Sequence, residues 1–220
     1  SLLTIDQWAR IFRAFQKVGW NSIDEFTVEC NPATVSEAKA NLFLENGVNR
    51  ISMGVQSLDE DLLDRLGRVH SRDMVFRSFR TLRDAGFRNI NLDLMFAIPG
   101  QTEAIWERTL AEILDFGSEH LSCYEVIYEE DTPLYEQLKA GEFDVDEALA
   151  SDMYEILIDR LSQNGFEQYE IANFARVTDQ AAKGIPGYAC RHNVNYWVGG
   201  EYLALGPAAA GHLDGQRYQN

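Results

Sequence analysis

The chain has 220 residues, 45% of them hydrophobic and 11% aromatic, which is enough for one sizeable core and a smaller appendage. A formal charge of −16, from 35 acidic against 19 basic side chains, excludes a phosphate-tracking or anionic-membrane surface, so nucleic acid is not an expected partner. No apolar run reaches the length of a membrane span, and residues 1–20 read as an amphipathic helix rather than a signal peptide; a cytoplasmic location is expected.

From Thr4, an N-cap, apolar residues Ile5, Trp8, Ile11, Phe12 and Phe15 recur at helical spacing up to Gly19. The alternation predicts strand 24–30, helix 34–46, strand 50–56, a short helix 59–66, helix 71–85 stopped by Gly86, strand 89–97, helix 103–116 opened by Thr102, and strand 120–128. Strand and helix in repetition predict parallel strands joined by right-handed crossovers, so the fold class is α/β. Past Glu129 the character changes: a turn around Asp131, Thr132 and Pro133 and an acidic segment lead into a long helix at 148–164, ended by Asn164 and Gly165. Strand-like pieces follow at 168–174 and 202–205, separated by the Gly-, Pro- and Ala-rich stretch 181–189 and by residues 192–197. Residues 1–140 are expected to form a barrel-like sheet and residues 141–220 a helix with an accessory region. Four strands cannot close a barrel and the pattern breaks off at Asn220, so further chain is expected at both ends.

The strands have chemically different faces. In RISMGVQS (50–57), Ile51, Met53 and Val55 alternate with Ser52, Gly54 and Gln56; Phe26, Val28 and Cys30 alternate with Thr27 and Glu29; Ile90, Leu92 and Leu94 alternate with Asn91 and Asp93. Parallel strands covered on both faces normally read as continuous apolar runs. The departure predicts a curved sheet whose outer face is covered by helices and whose inner face lines a polar cavity, with Glu29, Gln56 and Asp93 pointing in. Cys30, Cys123 and Cys190 are too far apart for a local metal motif or a disulfide framework, and read as buried thiols.

RISMGVQS, Arg68 twelve positions after Gln56, NLDLMFAIPGQT, ECNP at 29–32, LSCYEVIYEEDTPLY at 121–135, YEIANFAR at 169–176 and HNVNYW at 192–197 together resemble the radical S-adenosylmethionine (SAM) family of oxygen-independent coproporphyrinogen oxidases and their relatives. The resemblance runs along essentially the whole chain, and HNxxYW is similar to the heme-chaperone branch rather than to the oxidases. It implies a partial (β/α)6 barrel that holds SAM and a 4Fe-4S cluster at the carboxyl ends of its strands. It also implies heme or a porphyrin as a partner, with a heme-accepting protein beyond it. By residue match, Glu29, Gln56, Arg68, Asp93 and Ile127 fall on SAM-binding positions, and His192 is the candidate heme ligand. Family members carry a CxxxCxxC loop and a GGGTP segment ahead of an SLLT-like stretch, and this chain begins at that serine. Three thiolates are needed to hold the cluster, so the 220 residues alone are expected neither to ligate it nor to cleave SAM.

The residues admit other readings. Asp93 is also accounted for as an interior carboxylate satisfied by Asn91 or a backbone group, and Arg68 as a solvated charge at a helix end. From chemistry alone His192 reads rather as a loop hydrogen-bonding residue while Tyr196 and Trp197 fill a core, and only the resemblance favours the heme ligand. Three functions compete: a heme chaperone, a coproporphyrinogen III dehydrogenase decarboxylating propionate side chains through a SAM-derived radical, and an α/β scaffold that has lost its metal.

Overall fold

Helix-capping chemistry, rather than long stretches of strong propensity, sets most of the element boundaries. The computed structural model describes residues 2–20, 23–178 and 185–220. Helix α1 (Ile5–Lys17) opens with a capping box in which Thr4 and Gln7 satisfy each other's backbone N–H groups. Strand β1 (Thr27–Cys30) is shorter than expected, because Asn49 holds residues 24–26 as a loop: its amide donates to the Asp24 carbonyl and accepts from the Phe26 N–H. A 3-10 turn at Pro32–Thr34 and extended Val35 delay α2 (Glu37–Glu45) until Ser36 can cap it. There follow β2 (Arg50–Gln56), α3 (Glu60–Arg65), α4 (Arg72–Ala85), β3 (Ile90–Phe96), α5 (Glu103–Asp115) and β4 (His120–Glu125). Asp59, Ser71 and Thr102 cap α3, α4 and α5 with their side-chain oxygens.

Beyond β4, the turn at Thr132 is itself a cap, for α6 (Pro133–Lys139), a helix the pattern does not predict. Helix α7 (Glu147–Gln163) comes next, then a hairpin of β5 (Phe166–Gln168) and β6 (Asn173–Arg176). The six strands form one sheet in the order β1-β2-β3-β4-β6-β5; β1 to β4 are parallel and β6 runs antiparallel to both β4 and β5. The α/β class and the parallel sheet are as expected.

The core lies between the apolar strand face and the helices. Ile51, Met53, Val55, Ile90, Leu92, Leu94 and Leu121 are fully buried there with Val75, Trp106, Leu110 and Ile113 from the covering helices. Helix α7 belongs to this core: Met153, Leu157 and Leu161 are fully buried in it, and the Trp106 indole N–H donates to the Met153 carbonyl at 2.9 Å. The compact unit extends to Tyr188.

A second compact unit spans 189–220. HNVNYW lies on a helix, α8 (Arg191–Trp197), and β7 (Ala210–Leu213) pairs with β8 (Gln216–Gln219) as a hairpin. The strand expected at 202–205 is reduced to a single bridge between Tyr202 and His212. Of the Gly-, Pro- and Ala-rich stretch, residues 181–184 lie outside those described. Among the described residues no helix is long and apolar enough to cross a membrane.

Candidate functional site

The polar strand face is one hydrogen-bonded sheet of side chains. Parallel register sets Ser52 beside Asn91, Gly54 beside Asp93, Asn91 beside His120 and Asp93 beside Ser122. Side chains of equal parity therefore meet across three strands. The Asn91 amide donates to Asp93 Oδ1 and to Ser52 Oγ, both at 2.7 Å, and Ser52 Oγ lies 3.2 Å from Asp93 Oδ2. On the other side, Asn91 Oδ1 is 2.6 Å from His120 Nδ1 and 3.2 Å from Ser122 Oγ. His120 Nε2 is 2.7 Å from the Tyr169 hydroxyl, in the turn between β5 and β6, and Ser122 Oγ reaches Asn173 Oδ1 at 2.6 Å.

Burial dominates the electrostatics. It pushes Asp93 up to about 6, against the Asn91 and Ser52 hydrogen bonds, with Glu29 adding to the rise and Arg50 opposing it. Burial holds His120 well below the ordinary histidine value, and the charge of Arg50 adds to that, so the imidazole is neutral at pH 7. Arg50 itself is buried on this face, and its Nε has no hydrogen-bond partner.

Gln56 ends β2 at φ 66°, with the Ser57 N–H bonded back to the Val55 carbonyl at 2.8 Å. Such a three-residue turn with positive φ is a strained conformation of the kind found where a side chain must be aimed. Two features sustain it. His70, buried and kept neutral chiefly by that burial, contacts the same Val55 carbonyl through Nε2 at 3.0 Å. Gly54 leaves room for the Gln56 amide above it, since a Cβ there would stand 2.9 Å from Nε2.

The residues expected to bind SAM lie on the strands or in the connections that follow them. Glu29 is the penultimate residue of β1, Gln56 the last of β2 and Asp93 the middle of β3. Arg68 is exposed in the α3–α4 connection, and Ile127 is 74% exposed two residues past β4. Asp93 has the Asn91 partner that its purely structural reading requires. The rest of the network was not foreseen. For His120 and Ser122 the signal was present as the alternation His120-Ser122-Tyr124; for Tyr169 and Asn173 only the YEIANFAR resemblance marked the segment.

Thiols on this unit are poor metal ligands. Burial pushes Cys30 up to about 12 and raises Cys123 as well, and the two sit on β1 and β4, with two strands between them in the sheet. Among the described residues no group of three or more His, Cys, Asp or Glu is arranged to hold a metal ion.

In the second unit, rings stand in a row. His192 meets Tyr196 edge-on at 4.7 Å, Tyr196 stacks on Tyr202 at 4.1 Å, and Tyr202 lies 6.0 Å from His212. Tyr196, Tyr202 and His212 line an open cleft with Gly199, Gly200, Gly215 and Arg217. Trp197 is 66% exposed and fills no core within this unit.

A profile of the radical SAM superfamily matches residues 3–113. The chain is 35% identical over 222 aligned positions to the heme chaperone HemW of Lactococcus lactis, covering all of this chain and 56% of that protein. It is 38% identical over 201 positions to HemW of Bacillus subtilis, with 91% and 51% covered. It is also 36% identical over 195 positions to the mitochondrial radical S-adenosyl methionine domain-containing protein 1 of Danio rerio, with 88% and 42% covered. The chain thus spans about half the length of the curated relatives it matches. Among solved structures, coproporphyrinogen III oxidase (HemN) from Escherichia coli superposes with a TM-score of 0.73 at 19% identity, covering 95% of this chain and 49% of that one. At that identity the likeness is one of fold, and it agrees with the barrel-type α/β architecture expected from the sequence.

Proposed function

The chain belongs to the radical SAM superfamily, and from that premise we propose that it is the heme-handling part of a heme chaperone, which binds heme and passes it to an acceptor protein in the cytoplasm. The observation that carries this reading is α8, where His192 lies 4.7 Å from Tyr196 in a row of rings continued by Tyr202 and His212. A neutral imidazole ligates heme iron, aromatic faces pack on a macrocycle, and a cation such as Arg217 complements propionates. The names of the relatives at 35% and 38% identity support the same reading.

Superfamily membership implies SAM and a 4Fe-4S cluster. For SAM the polar strand face is chemically suitable: a buried carboxylate at Asp93, an amide held over Gly54 and the carboxylate of Glu29 would take its amino and hydroxyl groups. Arg68 would take its carboxylate, and Ile127 would give an apolar contact. When bound, SAM is the source of the radical chemistry for which the superfamily is named. The cluster does not fit Cys30 and Cys123, whose thiols burial disfavours as thiolates and which stand on separate strands.

Titrating heme into the protein and following the Soret band tests the chaperone reading, which expects saturable one-to-one binding. Absence of saturation, together with decarboxylation of coproporphyrinogen III by the whole protein, would favour the dehydrogenase.

A further inference from the structure

The hydrogen bonds on the polar strand face have a direction. An ionised carboxylate can only accept, so the Asn91 group 2.7 Å from Asp93 Oδ1 is the NH2, which leaves Asn91 Oδ1 facing His120 Nδ1. A carbonyl oxygen also only accepts, so Nδ1 carries the imidazole proton. His120 is buried and neutral, hence Nε2 is bare and accepts from the Tyr169 hydroxyl. One charge at Asp93 thus fixes every proton along the line.

We infer that His120 and Tyr169 are positioning residues for the Asp93 carboxylate, acting through a one-way chain of hydrogen bonds, Tyr169 to His120 to Asn91 to Asp93. The inference deepens the proposed SAM role of Asp93 and rests on it for its functional meaning, but the chain is measurable without any ligand. Its donors polarise one another in the same sense, and they run from the β5–β6 turn across β4 to the middle of β3. The YEIANFAR segment thereby acts on Asp93 from a distance, through His120 and Asn91. The other charged or titratable groups acting on Asp93 are Glu29 from β1 and Arg50 from β2; Cys30 on β1 and Cys123 and Tyr124 on β4 feel its charge in turn.

Nitrogen-15 NMR of the histidine rings, with carboxyl carbon-13 NMR of Asp93 across a pH series, provides the test. Wild type is expected to show the Nδ1–H tautomer at His120. His120→Leu removes the donor to Asn91 and raises the Asp93 midpoint by about half a pH unit or more. His120→Asn sets an amide N–H where Nδ1–H lay and returns the midpoint close to wild type. A merely structural role predicts a different order, because leucine fills the buried space better than asparagine and would be the milder change. Should the leucine variant fail to fold, Tyr169→Phe removes a single oxygen; the His120 Nε2 resonance should then move to that of an unbonded lone pair and the Asp93 midpoint should rise. An Nε2–H tautomer in wild type, equal midpoints for the leucine and asparagine variants, or an Asp93 midpoint indifferent to Tyr169→Phe would overturn the chain. SAM affinity of Asp93→Asn, measured separately, bears on the ligand role of Asp93 and leaves the chain untouched.

Discussion

The Gln56 amide lies directly over Gly54, at a distance where a β-carbon on residue 54 would stand 2.9 Å from Nε2. The obstruction is the end of a flexible side chain, so Gly54→Ala should fold with little loss of stability while pushing the amide off the polar face. We expect SAM affinity to fall about tenfold, equivalent to one hydrogen bond of about 1.4 kcal/mol. Calorimetric titration giving wild-type affinity for this variant would remove Gln56 from the ligand set.

Asp93 should make stability fall as pH rises. Its native value, about 6, lies above its ordinary value of 3.8, so the folded state binds the proton more tightly than the unfolded state does. That contribution is fully present below pH 3.8 and is lost as pH rises through 6. The gap corresponds to at most about 3 kcal/mol. Asp93→Asn lacks this titration and should gain on wild type between pH 4 and pH 7. Urea midpoints that keep a constant difference across that range would contradict the burial of the charge.

Helix α7 should prove inseparable from the sheet. Met153, Leu157 and Leu161 are fully buried and Trp106 donates to the Met153 carbonyl, so Met153→Ala is expected to cost about 2–5 kcal/mol. A chain ended at residue 140 should lack a cooperative melt by circular dichroism. A sharp, reversible transition in that shortened chain would contradict the dependence of the sheet on α7.

Much of this was legible beforehand because strand parity is a local property. Ser52, Asn91 and Asp93 could be assigned to one face from alternation alone, and their register then brought them into contact. Distance in sequence hid the remainder. Tyr169 is 49 positions from His120, and the hairpin that joins them depends on the antiparallel pairing of β6 with β4, which no periodicity announces. The place of α7 was hidden similarly: the acidic, turn-rich 129–147 looks like a linker, yet α7 beyond it returns to pack on β3. In the second unit, Tyr202 and Leu205 read as a strand from composition, whereas glycine-bounded turns left Tyr202 to stack on Tyr196 instead.

The most direct test of the heme-chaperone account is a comparison of heme spectra and affinities for wild type, His192→Ala and His212→Ala. His192 contacts Tyr196 at one end of the row of rings, while His212 lies 6.0 Å from Tyr202 at the other. The account predicts a shifted Soret band and weakened binding for His192→Ala, with the band position kept in His212→Ala. Identical spectra and affinities for wild type and His192→Ala would contradict it.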